Sequence, residues 1–455
     1  MPGRLFEAVD AASLAFFRVG FGLIMVWEVC RYFYYGWIGP FYIEPSFHFT
    51  YYGFGWVAPW PGIGMRVHFV ALGVLAAFIA LGLFYRLCMA LFFVGFTYVF
   101  LLDQSWYLNH FYLVSLVSLL MIFAPAHRAF SLDALRRPEK VGTGVAPAWA
   151  LWVMRFQISV VYFYGGLAKI NGDWLRGEPM RAWISPFTDP FGEAFTHWAG
   201  YFFSYGGLLF DLSIVPLLLW RRTRVPAFIL AVGFHVTNAG LFDIGIFPWF
   251  AIAATTLFFA PSWPRHAARE EETPEEGGAV SRLPGGSTRR RVVVALLAVF
   301  VAFQLLMPLR HFLYPGNPSW TEEGHRFAWR MKLRSVSAEA TFYAADPESE
   351  RAWRISPTSL VTASQAGRMA PYPDMVLQLS HEIADRFRER GYEEIEVRAV
   401  VYATLNGREP QLLIDPKADL AAQPRSLAPA AWIPPLKEPL PATGEPGKTA
   451  PSNRD

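Results

Sequence analysis

Long apolar stretches recur along most of this chain, separated by short polar or aromatic loops. Nine of them approach the roughly 20 residues with which an α-helix crosses a bilayer. They lie near residues 12–33, 67–85, 87–102, 110–125, 149–168, 201–220, 225–242, 246–261 and 292–312. The pattern predicts an all-α polytopic membrane bundle of about nine spans. The first stretch is too long for the apolar core of a cleavable signal peptide, so we interpret it as a transmembrane helix.

The positions of Lys and Arg predict the orientation of this bundle, because short cytoplasmic loops are enriched in both residues. One alternating set of loops carries Arg86, Arg128, Arg136, Arg137, Lys140, Arg221, Arg222, Arg224, Arg265, Arg269, Arg282, Arg289, Arg290 and Arg291. The other set comprises residues 34–66, 103–109, 169–200, 243–245 and everything after 313, and its loops are rich in Trp, Tyr, Pro and His. We therefore expect a cytoplasmic N-terminus and an extracytoplasmic C-terminal domain.

The polar segments predict three domains. Residues 264–290 contain Glu270, Glu271, Glu272, Glu275 and Glu276 and favour a cytoplasmic linker with too few apolar residues to pack. After Phe312, alternating apolar positions in 338–344, 395–402 and 411–414 predict strands, and 373–391 predicts an amphipathic helix. The expected division is a transmembrane catalytic domain (1–312), a small α+β or β-rich extracytoplasmic domain (313–424) and a disordered Pro-rich tail (425–455).

Composition agrees with a membrane protein. The chain is 53% hydrophobic and 17% charged, whereas roughly 25% charged residues are typical of soluble domains. Many of its Trp residues lie beside the ends of apolar stretches, as in interfacial belts. The net charge of +3, without a long basic stretch, gives no sign of nucleic-acid binding. Cys30 and Cys88 lie in or beside apolar stretches and are interpreted as packing residues.

Several enzyme classes are excluded by missing motifs. The chain contains no GxxxxGK[ST], CxxC, HExxH or GxSxG sequence. Lys332, in Arg-Met-Lys-Leu, is only a faint match to a biotinyl-lysine site. We therefore expect chemistry that uses no ATP, no biotin and no metal.

Lys169 follows the fifth apolar stretch, in Tyr-Gly-Gly-Leu-Ala-Lys-Ile-Asn-Gly-Asp-Trp. On a helix, Tyr162, Gly165 and Gly166 share the face of Lys169, and the two glycines allow a backbone or a flat ligand to approach. A lysine held there can lose its solvation and become a neutral base. The alternative is a lysine that extends to the membrane surface, as lysines at helix ends usually do.

Other polar groups lie near the predicted outward ends of the helices. His110 opens the fourth stretch, and His235 lies in the seventh, with Asn238 one turn further on. Ionisable residues inside membrane helices are costly and are candidates for function. The alternative is a neutral histidine bonded to a neighbouring helix. Glu28 stays open as a further candidate, whereas snorkelling or a carboxylate partner would explain Arg18 and Arg155.

The segment after the last stretch is dense in aromatic and charged residues. It runs through Pro-Leu-Arg-His at 308–311 and Trp-Thr-Glu-Glu-Gly-His-Arg-Phe-Ala-Trp-Arg-Met at 320–331, and it includes His325 and Trp329. Such a segment at a membrane surface suits either a lid over a site or a polar junction between domains, and both interpretations stay open.

At these residues the sequence resembles the vitamin K-dependent γ-glutamyl carboxylase family, whose membrane part is also called the horizontally transferred transmembrane domain. The matching segments are 17–22, 106–112, 166–180, 234–250, 309–331 and 415–421. The run Gly-Leu-Ala-Lys-Ile-Asn-Gly-Asp-Trp-Leu-Arg-Gly-Glu-Pro-Met and the run Trp-Thr-Glu-Glu-Gly-His-Arg-Phe are the specific ones, and the second is more similar to bacterial and invertebrate members than to vertebrate enzymes.

The resemblance implies a reaction and roles for three residues. Lys169 matches the lysine assigned as the base that deprotonates the hydroquinone of vitamin K. His110 matches a histidine implicated in stabilising the reacting intermediate, and His235 matches another histidine of that site. Residues expected to bind the quinol are Asn109, Tyr162, Trp174, Asn238, His325 and Trp329.

The implied chemistry accounts for the missing motifs. Oxygenation of phylloquinol or menaquinol to its epoxide by O2 supplies a base strong enough to remove a γ-proton from peptidyl glutamate, which then takes up CO2. The expected partners are the lipid bilayer, a lipid-soluble quinol that enters between helices, and a glutamate-containing peptide from the outer side of a bacterial inner membrane. Two alternatives stay open: a quinol epoxidase or oxygenase without carboxylation, and a non-catalytic quinone-binding membrane protein.

The loop assignment gives a direct test of topology. A reporter fused after Arg222 is expected to be cytoplasmic, because that loop carries three arginines. A reporter fused after Arg181 or at the C-terminus is expected to be extracytoplasmic. Reporter activity in intact cells measures the side of each fusion, and finding Arg181 and Arg222 on one side would overturn the nine-span arrangement.

Overall fold

The computed structural model describes residues 2–141, 144–266 and 286–440. The first two of these ranges and the start of the third form a bundle of helices. Its helices are α1 (Ala12–Tyr34), α2 (Gly64–Leu81), α3 (Tyr85–Leu102), α4 (Asn109–Phe123), α5 (Leu132–Arg136), α6 (Pro138–Val141), α7 (Ala148–Ala168), α8 (Met180–Thr188), α9 (Glu193–Leu219), α10 (Arg224–Leu241), α11 (Phe247–Thr255), α12 (Trp263–His266) and α13 (Ser287–Leu306). Two short antiparallel strands, β1 (Ala8–Asp10) and β2 (Val145–Pro147), connect the start of α1 to the start of α7.

Each of the nine predicted apolar stretches contains a helix, but not all of these helices match a membrane span by themselves. Within the described ranges, five are long and apolar enough to cross a membrane: Ala12–Tyr34, Gly64–Leu81, Tyr85–Leu102, Glu193–Leu219 and Ser287–Leu313. Helices α4 and α11 are apolar but shorter. A mostly helical membrane bundle is therefore confirmed, and the count of nine spans stays a prediction. Helix α9 begins at Glu193, earlier than predicted, and the prediction missed α8.

Several loops that the basic residues assigned to the same side of the membrane contact one another at two ends of the bundle. At one end, Asp10 binds Arg265 at 2.7 Å, and the Arg128 guanidinium donates to the Val145 carbonyl at 2.9 Å. At the other end, the Tyr107 hydroxyl accepts a hydrogen bond from the Phe327 amide at 2.8 Å. The segments predicted to be cytoplasmic thus meet one another, and so do those predicted to be extracytoplasmic.

Arg18 is fully buried near the first of these ends. Its guanidinium donates to the carbonyls of Ala80, Ala126 and Phe130 at 3.3, 3.2 and 2.5 Å. The sequence suggested snorkelling or a carboxylate partner, but three backbone oxygens bind the charge instead. Carbonyls near helix ends lack partners within their own helix and can accept such bonds. Helices α1 and α2 pack closely here. A Cβ atom on Gly22 would lie only 2.6 Å from the Ala80 nitrogen, so this position has room only for glycine.

Most of the residues after Leu313 form a separate core around a four-stranded antiparallel sheet of order β4-β3-β5-β6. Its elements are α14 (Pro318–Thr321), β3 (Val336–Asp346), β4 (Arg351–Ile355), α15 (Ala363–Met369), α16 (Pro373–Arg388), β5 (Glu396–Leu405) and β6 (Gln411–Leu412). The three predicted strands and the predicted amphipathic helix are present. In β5, buried and more exposed residues alternate with the period of two that is typical of a strand. Strand β4 was not predicted, because its sequence Arg-Ala-Trp-Arg-Ile is short and mostly exposed.

The predicted disordered tail differs from the structure over residues 425–440. Arg425 binds Asp374 at 2.8 Å, and the Trp320 indole donates to the Pro434 carbonyl at 2.9 Å. Trp432 packs against the core of the sheet domain. The Pro-rich composition hid these anchors, because a few apolar side chains suffice to dock an extended segment. Residues 441–455 lie outside the described residues, as do Arg269, Arg282 and the acidic run of the predicted linker.

Ion pairs and amide contacts connect the sheet domain to the helical bundle. Arg408 donates two hydrogen bonds, of 2.6 and 2.8 Å, to Asp173 in the loop after α7. Asn406 donates to the same carboxylate at 2.8 Å. Gln104, between α3 and α4, donates to Asp374 at 2.7 Å. The sheet domain therefore sits on the end of the bundle where α7 ends and α4 begins.

Candidate functional site

Lys169 directly follows α7, at the end of the bundle that carries the sheet domain. Only 8% of Lys169 is exposed. Its Nζ atom donates to Asp211 Oδ2 at 2.5 Å and to the Gly165 carbonyl at 3.2 Å. A lysine that extends freely to the membrane surface would have neither contact. The structure thus turns this side chain back into the protein, towards α9.

Close packing of α7 and α9 brings Asp211 to Lys169. A Cβ atom on Gly166 would lie 2.7 Å from Leu212 Cδ2, and one on Gly165 would lie 3.3 Å from Asp211 Oδ2. Larger residues at these two positions would hold the helices apart. The sequence predicted that the glycines admit another backbone or a flat ligand, whereas the structure shows the side chains of Asp211 and Leu212 of α9 there.

Trp174 lies against the same lysine. Its ring centre is 5.4 Å from Lys169 Nζ, and its indole donates to the Ser204 carbonyl on α9 at 2.8 Å. Asn171 forms the turn that places Trp174, because its side-chain oxygen accepts from the amides of Asp173 and Trp174. The motif Lys-Ile-Asn-Gly-Asp-Trp therefore encodes both the lysine and its aromatic neighbour.

His235, on α10, forms a buried pair with Tyr162 on α7. The Tyr162 hydroxyl lies 2.7 Å from His235 Nε2, and His235 is only 1% exposed. Within the described part of the chain, the other ring nitrogen, Nδ1, has no hydrogen-bond partner. A buried polar atom without a partner is costly unless a ligand or water satisfies it. Phe210, the neighbour of Asp211, packs edge-on against both rings and links this pair to the lysine region.

His110 lies in the first turn of α4, with 9% exposure. Its ring centre is 6.2 Å from that of Phe247, and the His235 ring is 5.9 Å from the same phenylalanine. The two candidate histidines thus flank one aromatic side chain at the start of α11. Phe247 was not selected from the sequence, because nothing distinguishes it there from the other 39 phenylalanines.

The remaining candidates are divided between this region and the domain junction. Asn109 accepts from the Tyr107 hydroxyl at 2.9 Å, and Trp329 is fully buried against Tyr112 of α4, with ring centres 5.0 Å apart. Trp329 therefore belongs to the core of the bundle although it follows the last helix. Asn238 is half-buried on α10, one turn beyond His235.

His325 lies in the domain junction, among charged side chains. Its Nδ1 is 3.2 Å from the Pro318 carbonyl and 3.5 Å from Glu322, which Arg334 also contacts. Burial lowers the pKa of His325 well below its ordinary value, and burial raises the pKa of Glu322 despite the nearby arginines. These contacts favour a polar junction over direct contact between His325 and the lysine region.

The same junction segment has a strained backbone. Glu322, Phe327, Trp329 and Lys332 all have positive φ, between 47° and 64°. Residues with side chains seldom adopt this conformation, and each instance costs on the order of 1 kcal/mol or more. Burial of Trp329 in the helical core and of Trp320 in the sheet-domain core stabilises the segment. It therefore connects both cores, as a junction requires, and covers the bundle end next to α4.

Two acidic groups in the helices have different partners. Asp211 was missed from the sequence, although a single carboxylate inside an apolar stretch is itself a signal for function. Glu28, left open by the sequence, binds Arg31 at 2.6 Å. The guanidinium carbon of Arg31 lies 5.6 Å from the ring centre of Trp27 and 5.2 Å from that of Trp37. Glu28 also borders a cavity among α1 to α4 that is lined mainly by aromatic and aliphatic side chains, including Phe111 beside His110.

The fold and the site define a class of protein: a helical membrane protein whose polar site lies under a second, sheet-containing domain. Comparison with protein families identifies it more closely. Residues 6–263 match the HTTM domain, and residues 289–439 match the lumenal domain of vitamin K-dependent gamma-carboxylase. The chain therefore belongs to the vitamin K-dependent γ-carboxylase family, as the sequence motifs indicated. No solved structure matches it.

The family assignment agrees with the architecture. The first match ends at the first residue of α12 and the second begins near the start of α13, so α13 belongs with the lumenal-domain match. That match also extends through residue 439, close to the last docked residue of the sheet domain. The word lumenal in the name of the second match agrees with an extracytoplasmic location for the sheet domain. The apolar helices agree with a chain that is anchored in a membrane.

Proposed function

We propose that this protein is a membrane enzyme that oxygenates a vitamin K-type hydroquinone, phylloquinol or menaquinol, and couples this reaction to carboxylation of peptidyl glutamate. The observation that carries the proposal is the buried Lys169, held between α7 and α9 beside an aromatic ring, in a chain that matches both domains of the carboxylase family. When bound, the hydroquinone supplies, through its oxidation by O2, the strong base that glutamate deprotonation requires.

Lys169 is the general base in this proposal. Its amine takes a proton from a hydroxyl group of the quinol at Nζ, which requires the amine to be neutral when the quinol binds. The buried location supports this role, because exclusion of water strengthens hydrogen bonds to the developing negative oxygen.

His110 and His235 donate hydrogen bonds to the oxygenated ring. The unpartnered Nδ1 of His235 fits a ligand oxygen, and the aromatic side chains of Phe247 and Phe210 near it fit a flat apolar ring. Tyr162 contacts the other ring nitrogen of His235, Nε2. When the tyrosine hydroxyl donates its hydrogen to Nε2, the proton of the neutral imidazole ring is on Nδ1, which can then donate to the ligand. Asn109, Trp174, Asn238 and Trp329 are proposed to line the same region, whereas His325 acts through the junction.

The two substrates reach the site from different phases. A lipid-soluble quinol enters laterally from the bilayer between helices, and the glutamate side chain of a peptide enters from the aqueous side that bears the sheet domain. In this proposal the N-terminus is cytoplasmic, about nine helices cross a bacterial inner membrane, and the reaction takes place at its outer face.

The proposal is tested with purified full-length protein, reduced phylloquinone or menaquinone, O2, a glutamate-containing peptide and labelled bicarbonate. Epoxide together with label in the peptide is the expected result. Epoxide without label would indicate a quinol epoxidase that does not carboxylate. A protein that binds the quinone but forms neither product would be a binding protein, and the enzymatic proposal would be wrong.

Replacement of Lys169 tests the base. Lys169→Ala is expected to abolish epoxide formation, and carboxylation with it, because the second step takes its base from the first. Lys169→Arg is expected to be equally inactive, because a guanidinium keeps its proton. Both variants are measured as epoxide formed per folded protein. Near-normal epoxidation by Lys169→Arg would contradict the assignment.

Replacement of either histidine tests the hydrogen-bond donors. His110→Ala and His235→Ala are each expected to lower the rate of epoxide formation by about 10²–10³, the usual cost of one donor to developing negative charge. The yield of folded protein is measured in parallel by gel filtration in detergent. If folded protein and activity decline together, the histidines are structural.

A further inference from the structure

Asp211 is a buried carboxylate in the middle of α9, and the proposed chemistry has not used it. It is 7% exposed, and among the described residues Lys169 is its one hydrogen-bond donor. By contrast, Asp173, at the domain boundary, accepts three hydrogen bonds from Arg408 and Asn406. An isolated buried carboxylate is costly. Its single short contact to Lys169 therefore points to a role that involves the lysine.

A lysine at the end of a membrane helix normally extends its flexible side chain towards water. Lys169 directly follows α7, at the aqueous end of the bundle, so this would be its default arrangement. Asp211 lies on the neighbouring helix and holds Nζ inside the protein at 2.5 Å. The Gly165 carbonyl provides the second contact, at 3.2 Å, but it belongs to the same helix as the lysine and cannot hold it against α9.

The surroundings of the pair are built for this contact. Gly165 and Gly166 let the side chains of α9 approach α7, and Gly207, one turn before Asp211, lies beside the lysine chain. A Cβ atom on Gly207 would lie 3.8 Å from Lys169 Cε and 3.7 Å from the Trp174 ring. Three glycines on two helices thus surround one lysine–carboxylate pair. The pair carries no net charge whichever of the two groups holds the proton between them, which reduces the cost of burying both. Lys169 is the neutral base when Asp211 holds that proton.

From this geometry we infer that Asp211 is a positioning residue, which holds the Lys169 side chain in the site and prevents it from extending to the aqueous surface. The inference rests on the proposed function for its catalytic consequence, because a base must be close to the hydroxyl group that it deprotonates. When Lys169 accepts that proton, an N–H bond forms at Nζ, the O–H bond of the quinol breaks, and its electron pair stays on the oxygen. Asp211 then stabilises the new ammonium.

Chemical labelling of Lys169 tests the positioning directly and needs no enzyme activity. Purified full-length protein is treated with a membrane-impermeant amine-acylating reagent, and the modified lysines are quantified by mass spectrometry. The exposed Lys417 serves as the fully reactive reference. In the wild type, Lys169 is expected to react far more slowly than Lys417. In Asp211→Leu and in the isosteric Asp211→Asn, its reactivity is expected to approach that of Lys417.

A matched control removes a different ion pair. Asp10→Asn breaks the contact between Asp10 and Arg265 at the opposite end of α7, roughly 30 Å away for a helix of 21 residues. This variant should leave the labelling of Lys169 as slow as in the wild type. Thermal unfolding of each variant identifies any that fail to fold. Asp211→Asn preserves the side-chain shape and keeps the test available if Asp211→Leu is one of these.

Kinetics supply the second readout. In Asp211→Asn, kcat for epoxidation is expected to fall by about 10- to 100-fold with little change in KM, since misplacing a catalytic group by about 1 Å can cost that much. Unchanged protection of Lys169 in both folded Asp211 variants would overturn the positioning role. A wild type that forms no epoxide would overturn the proposed function, while the labelling result would still decide what Asp211 does.

Discussion

The contact between α7 and α9 determines where the charged groups of the helical bundle lie. It depends on Gly165 and Gly166, which let Leu212 and Asp211 approach the end of α7. Lys169 can then turn back into the protein and find a carboxylate. The same approach brings Phe210 against Tyr162 and His235, so that the lysine pair and the histidine pair share one region. Without this contact, the lysine pair and the histidine pair would not lie next to each other.

The second constraint is the junction between the helices and the sheet domain. Trp329 enters the helical core, Trp320 enters the sheet core, and the segment between them has a strained backbone. Asp173 and Arg408 add a doubly hydrogen-bonded ion pair only four residues after Lys169. The sheet domain thus packs against the loop that carries the candidate base. A change in the contact between the two domains at Asp173 would therefore also move the backbone near Lys169, because only residues 170–172 separate them.

Much of this architecture follows from local sequence patterns. Hydrophobic length predicted a helix at each of nine stretches. Alternation of apolar residues predicted three of the four strands in the second domain. The motifs around Lys169 and residues 320–331 indicated the family, which the two domain matches confirm. These features depend on neighbours in the chain, so the sequence alone was sufficient for them.

Tertiary structure decided the partners. Asp211 lies 42 residues after Lys169, and Tyr162 lies 73 residues before His235, so no local pattern could pair them. Arg18 binds three carbonyls from two distant segments rather than a carboxylate, because those oxygens are left free near helix ends. Residues 425–440 dock through a few side chains that their Pro-rich composition concealed. Sequence determines which residues carry charge or aromatic surface, whereas long-range packing decides which of them meet, because that depends on how closely the helix backbones approach one another.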